Sequence, residues 1–188
     1  CPSGVGKTQF SLNFAFNFCL GKSFLNKEIT STGKVGFLSL EMGSPQVDHF
    51  LKNQCSKMTE SEMDLLEENF KTCPMGEPLY LNKVSNQEMV EELVFENKLN
   101  GLIIDSLGSS TNESLQTDTE IKHIIDWIDR VRKQHNCFLW IIHHHRKATN
   151  QNKKPNHIDD IYGSMYISAR ASSVFCLWKT AKPTEVEL

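Results

Sequence analysis

The chain opens on Cys1-Pro2-Ser3-Gly4-Val5-Gly6-Lys7-Thr8, followed by Gln9. Its spacing is that of a phosphate loop, GxxxxGK[ST], with Cys1 standing where the first glycine is usual. The glycines let the backbone N–H groups of Gly4, Val5 and Gly6 turn toward an anion, and a helix directly after them adds the positive end of its dipole. Lys7 suits the β- and γ-phosphates, and Thr8 offers a hydroxyl to Mg²⁺. Ser3, Gly4, Val5, Gly6, Lys7, Thr8 and Gln9 are therefore the candidate contacts for ATP. A Gly-Lys-Thr met by chance in a turn is the alternative, and the helical pattern directly after it weighs against chance.

That pattern covers residues 8–20, where Phe10, Leu12, Phe14 and Phe18 suit a buried helix that ends at Gly21. Val35-Gly36-Phe37-Leu38-Ser39-Leu40 is a short buried strand closed by Glu41. Ser44-Pro45 has the form of an N-cap with proline at the first helical position, and Thr59-Glu60-Ser61-Glu62 is a capping box, so two helices are expected over 45–70. Leu79-Tyr80-Leu81 predicts a second strand, Ser85-Asn86-Gln87-Glu88 caps a helix running to about Leu99, and Leu102-Ile103-Ile104-Asp105 predicts a third strand. Thr117-Asp118-Thr119-Glu120 caps a long amphipathic helix with Ile121, Ile124, Ile125, Ile128 and Val131 on one side. Strands over 137–142 and 174–178 come after it. Apolar strands alternating with helices define an α/β fold, a mainly parallel sheet flanked by helices on both faces. No internal repeat or domain boundary interrupts 1–188, and because Cys1 falls inside a functional loop the chain reads as a core trimmed at both ends.

Composition narrows the partners. The 188 residues suffice for one buried core, and 20 Lys and Arg against 23 Asp and Glu give a net charge of -3, so any contact with nucleic acid must be local. The six cysteines form no CxxC pair, and several lie inside apolar runs, which points to a reducing, cytoplasmic setting. No apolar run reaches the ~20 residues of a membrane helix, so no membrane partner is expected.

Three further places carry chemistry. Asp105 ends an apolar strand, where a carboxylate can hold magnesium through its water shell; alone it would read as a turn cap. Glu41 ends a neighbouring strand, where a carboxylate can orient or deprotonate an attacking water; an exposed charge at a strand end is the competing reading. His143-His144-His145 stands just past another buried strand. One of these histidines can read the γ-phosphate, and a zinc site formed with His157 is the less favoured alternative, since no Cys or Glu stands at ligand spacing. The polar segment 146–160 has no periodicity and is long for an idle connection, so it is a candidate functional loop, with a solvated connector as the alternative.

Taken in order, these pieces resemble the RecA-like ATPase core of hexameric replicative helicases, the DnaB-like and plasmid RepA-like families, over nearly the whole chain. Leu38-Ser39-Leu40-Glu41-Met42 is similar to the family's SLEM stretch, which implies that Glu41 is the catalytic glutamate. His143-His144-His145-Arg146-Lys147 is similar to the sensor segment after the fourth core strand and carries the sensor to His144. Ile161-Tyr162-Gly163-Ser164 resembles the close of the second DNA-binding loop. The resemblance implies a RecA-like P-loop motor with Lys7, Glu41 and His144 as catalytic residues, Thr8 and Asp105 at Mg²⁺, and ATP as fuel. It further implies Lys147, Lys153 and Lys154 on single-stranded DNA, with residues 108–117 as a first loop that carries no positive charge. A homo-hexameric ring completed by a neighbour's basic residue and a place in bacterial, phage or plasmid replication machinery are implied too. The family's arginine finger is not visible in 180–188. A RecA/RadA-type recombination or repair ATPase shares the same elements, and a non-motor, nucleotide-dependent regulatory module is the alternative from another class.

Overall fold

Helix α1 (Lys7–Leu20) begins directly after Gly6 and closes at Gly21, whose φ of +67° is the left-handed conformation that ends helices and that glycine adopts without strain. Four phenylalanines make α1 a middling helix former, so packing decides it. Leu12, Ala15, Phe16 and Cys19 are buried, and full burial of a side chain the size of Leu12 or Phe16 contributes about 1.5–3 kcal/mol. Phe10, Phe14 and Phe18, spaced by four, form a half-buried ridge beside that face.

The computed structural model describes residues 5–74, 78–112, 118–144, 165–179 and 186–187. After α1 come β1 (Val35–Ser39), α2 (Ser44–Cys55), α3 (Glu60–Asn69), β2 (Phe70–Pro74), α4 (Val84–Glu96) and β3 (Gly101–Asp105). Next are a 3₁₀ turn (Leu107–Ser110), α5 (Asp118–His135), β4 (Phe138–Ile142), α6 (Met165–Arg170), β5 (Trp178–Lys179) and β6 (Val186–Glu187). Strands β2, β1, β3 and β4 lie side by side in that order, all parallel.

Alternation along the central strands feeds two cores. Val35, Phe37 and Ile103 face α1, α2 and α3, together with Leu12, Phe16, Val47 and Leu66. Leu38, Leu102 and Ile104 face α4 and α5, together with Val90, Val94, Ile121, Ile124, Ile125, Trp127, Ile128 and Val131. Helices therefore cover both faces of a parallel sheet, as the sequence pattern predicts. The anticipated apolar side of α5 is the side that is buried.

Several local expectations need correction. The second strand is β2, directly after α3, rather than 79–81. Leu79 and Leu81 are buried as alternation requires, but they enter the α4–α5 core from irregular backbone, and Leu81 N–H donates to Ser110 O at 2.5 Å instead of joining the ladder. Gly43, not Ser44, is the N-cap of α2, and Lys83 rather than Ser85 precedes α4, neither supplying a side-chain cap. Asn86 and Gln87 fasten the start of α4 instead, donating to Tyr80 O at 3.0 Å and Leu81 O at 2.7 Å. The expected last strand over 174–178 survives only as β5, paired antiparallel with β6 outside the main sheet. The Thr59–Glu62 capping box forms as predicted, whereas the box at 117–120 lies partly outside the described residues.

Candidate nucleotide-binding site

Three strand ends meet at one edge. Ser39 of β1 stands in register with Asp105 of β3, and Asp105 with Ile142 of β4. The residues just past those ends, Glu41, Ser106 and His144, therefore emerge together. Leu40 N–H donates to Asp105 O at 2.6 Å, extending the pairing one residue, and Ser39 Oγ donates to Met42 O at 2.9 Å, curling the chain around Glu41.

Glu41 is the focus of that edge. Its Oε1 accepts from Ser106 Oγ, accepts from Ser109 Oγ at 3.2 Å, and lies 3.3 Å from His144 Nε2. Burial works to raise the Glu41 pKa, but the hydrogen bonds from Ser106, His144 and Ser109 and the nearby His144 charge outweigh it, leaving the carboxyl below its ordinary value.

A fourth piece enters from α1. Gly6, the N-cap, has φ +87°, offers no side-chain cap, and would point an added Cβ into open space. No acidic residue occupies the first turn, so the positive end of the helix meets nothing of opposite charge on its own segment. Thr8 Oγ1 donates to Asp105 Oδ2 at 2.6 Å across 97 positions of sequence. Asp105 is 2% exposed, and burial pushes its carboxyl above the ordinary value even though the Thr8 hydroxyl pulls the other way. Burial likewise lowers the Lys7 ammonium, opposed by the charges of Glu41 and Asp105. Trp140 Nε1 donates to Ser11 Oγ at 2.8 Å, and Phe14 stacks on Trp140 at 4.5 Å, which fixes α1 on β4.

An uncapped helix start facing open space, a lysine short of solvation, and a hydroxyl–carboxylate pair are what a nucleotide phosphate chain with a hard cation requires. The residues present fit both. Thr8 and Asp105 would hold magnesium, and Gly6, Lys7 and Thr8 would face the phosphates. Of the other expected contacts, Val5 is buried against Leu177 and Gln9 is exposed. Ser3, Gly4, Lys147, Lys153, Lys154, His145, His157 and the 146–160 loop lie outside the described residues, as do 113–117 of the first loop. Among the described residues no group of three His, Cys, Asp or Glu side chains could hold a metal ion, so nothing there supports the zinc alternative.

Ser106, Ser109 and Ser11 belong to no motif of the sequence yet stand at this site. The first two stand in Asp105-Ser106-Leu107-Gly108-Ser109-Ser110, a run that resembles ordinary turn composition. The available signal was its position: hydroxyls directly after one strand end lie beside whatever leaves the neighbouring strand end.

A parallel sheet with helices on both faces, carrying this loop and these carboxylates at one edge, defines a P-loop nucleoside triphosphatase fold. The chain belongs to the AAA domain family, whose model matches residues 1–150, a family of P-loop ATPases that takes in RecA-like and DnaB-like cores. It is thus a nucleotide-binding ATPase domain. No curated protein matches the chain. Among the described residues no helix is long and apolar enough to cross a membrane.

Proposed function

We propose that the chain is the motor domain of a replicative DNA helicase, hydrolysing ATP with Mg²⁺ and moving along single-stranded DNA as a homo-hexameric ring in cytoplasmic bacterial, phage or plasmid replication. The observation that carries this reading is the position of Glu41: the carboxylate at the site leaves the strand beside the one bearing Asp105, while the residue after Asp105 is Ser106. That separation is the RecA-like arrangement.

In this reading Thr8 and Asp105 would hold magnesium, which when bound would supply positive charge to offset that of the phosphates. Lys7 stabilises charge growing on the γ-phosphate. Glu41, whose carboxylate the Ser106, His144 and Ser109 donors favour, is placed to orient the attacking water. Loose phosphoryl-transfer transition states ask chiefly for such positioning. His144, at 3.3 Å from Glu41, is suited to link the γ-phosphate to the water-orienting carboxylate.

The test is steady-state ATPase activity with and without single-stranded DNA, for wild type, Lys7→Ala and Glu41→Gln. Stimulation of severalfold by DNA, lost in both variants, supports the motor. Nucleotide binding with a rate that DNA leaves unchanged overturns the helicase reading in favour of a regulatory module, and filaments on DNA in place of rings favour a recombinase.

A further inference from the structure

We propose that Ser106 and Ser109 are positioning residues for the ATPase reaction, clamping Oε1 of Glu41 so that the carboxylate presents Oε2 to the water. Their role rests on the reading of Glu41 as the water-orienting group. Three donors converge on one oxygen: Ser106 Oγ, Ser109 Oγ at 3.2 Å and His144 Nε2 at 3.3 Å. A glutamate side chain rotates about three bonds, and Glu41 is only partly buried, so packing alone does not hold its carboxylate. Hydroxyl-to-carboxylate bonds are charge-assisted, and two of them on one oxygen restrict both the position and the plane of the group.

The backbone makes the two serines a unit. Ser106 is fully buried at the end of β3, where a hydroxyl needs a partner, and Glu41 supplies it. Ser109 N–H donates to Ser106 O at 3.2 Å within the 3₁₀ turn, and Ser110 Oγ donates to Leu107 O at 2.8 Å, so the turn presents both hydroxyls on one side. Leu81 N–H, donating to Ser110 O, ties that turn to the α4–α5 core. The catalytic carboxylate thereby takes its position from β3 as well as from its own strand.

The test has two arms. In nucleotide-free protein, Ser106→Ala should lower the urea midpoint in the wild-type background and leave it nearly unchanged when Glu41 is already Ala, a non-additivity that reports the contact itself. In ATPase assays Ser106→Ala and Ser109→Ala should each lower kcat about tenfold and the double variant about a hundredfold, with KM for ATP held within about twofold, as for misplacement of a reacting group by about 1 Å. Ser109→Thr, which keeps the hydroxyl, should restore the rate. Additive urea midpoints, or an unchanged kcat in the double variant while Glu41→Gln is inactive, overturn the clamp alone. A Glu41→Gln protein as fast as wild type overturns the hydrolytic role of Glu41 and the clamp with it.

Discussion

Replacing Trp140 by Phe should loosen α1 from the sheet by an amount the structure allows to be worked out. The substitution removes the 2.8 Å bond to Ser11 Oγ, worth about 1 kcal/mol net, and strands a hydroxyl that is 2% exposed. The smaller ring also gives up roughly 20 Å² of apolar contact on a half-buried residue, about 0.5 kcal/mol at 25 cal/mol per Å². Stacking on Phe14 is retained. The expected loss is about 1.5 kcal/mol, and Ser11→Ala alone should cost about 1 kcal/mol because the indole N–H then lacks its acceptor. Since one bond is shared, the double variant should also lose about 1.5 kcal/mol, not the ~2.5 of simple addition, giving a coupling of about 1 kcal/mol. Urea denaturation of the four proteins measures it. A coupling under about 0.3 kcal/mol would refute the claim that this bond fastens α1 to β4.

Glu41→Gln should retain fluorescent ADP binding while lowering kcat by about 10² or more, whereas Lys7→Ala should weaken binding itself; titration and turnover on the same samples separate the two. Asp105 titrates above its ordinary 3.8 in the folded, nucleotide-free protein, so the fold binds that proton more tightly than the unfolded chain does. Its contribution to stability is then greatest below 3.8 and is lost as pH rises through the folded value. Asp105→Asn should flatten the fall of the urea midpoint as pH rises above 3.8 while abolishing turnover. Glu62, its pKa brought down to about 2 by the Lys22 ammonium and the Thr59 N–H, behaves oppositely: stability present above 4.5 is lost as pH falls toward 2, which carboxyl NMR titration would follow. Thr59→Ala, which breaks the capping box of α3, should cost about 1 kcal/mol by the same denaturation assay.

The parts of the fold legible in the sequence were those with strong periodicity or a motif of fixed spacing. The side of α5 carrying Ile121, Ile124, Ile125, Ile128 and Val131, the apolar runs of β1, β3 and β4, and the Thr59 cap each come from a local rule that tertiary structure did not override. The edge strand was misplaced because Phe70-Lys71-Thr72-Cys73-Pro74 adjoins a helix without a break, while Leu79-Tyr80-Leu81 alternates like a strand yet is buried from a loop. The meeting of Lys7, Thr8, Glu41, Asp105 and His144 was legible because a parallel sheet gathers at one edge the residues just past its strand ends. Serines were not legible, because a hydroxyl becomes informative only when the group across from it is known.

The level ending of β1, β3 and β4 constrains how such a protein can change over evolutionary time. With Ser39, Asp105 and Ile142 abreast, inserting or deleting one residue within any of these strands moves the groups beyond it by about 3.3 Å and sends them to the opposite face. Length variation among descendants is therefore confined to the connections, beyond Met42, Ser110 and His144, and diversification of the pocket must proceed by substitution at fixed positions, as in a lock recut without moving its pins.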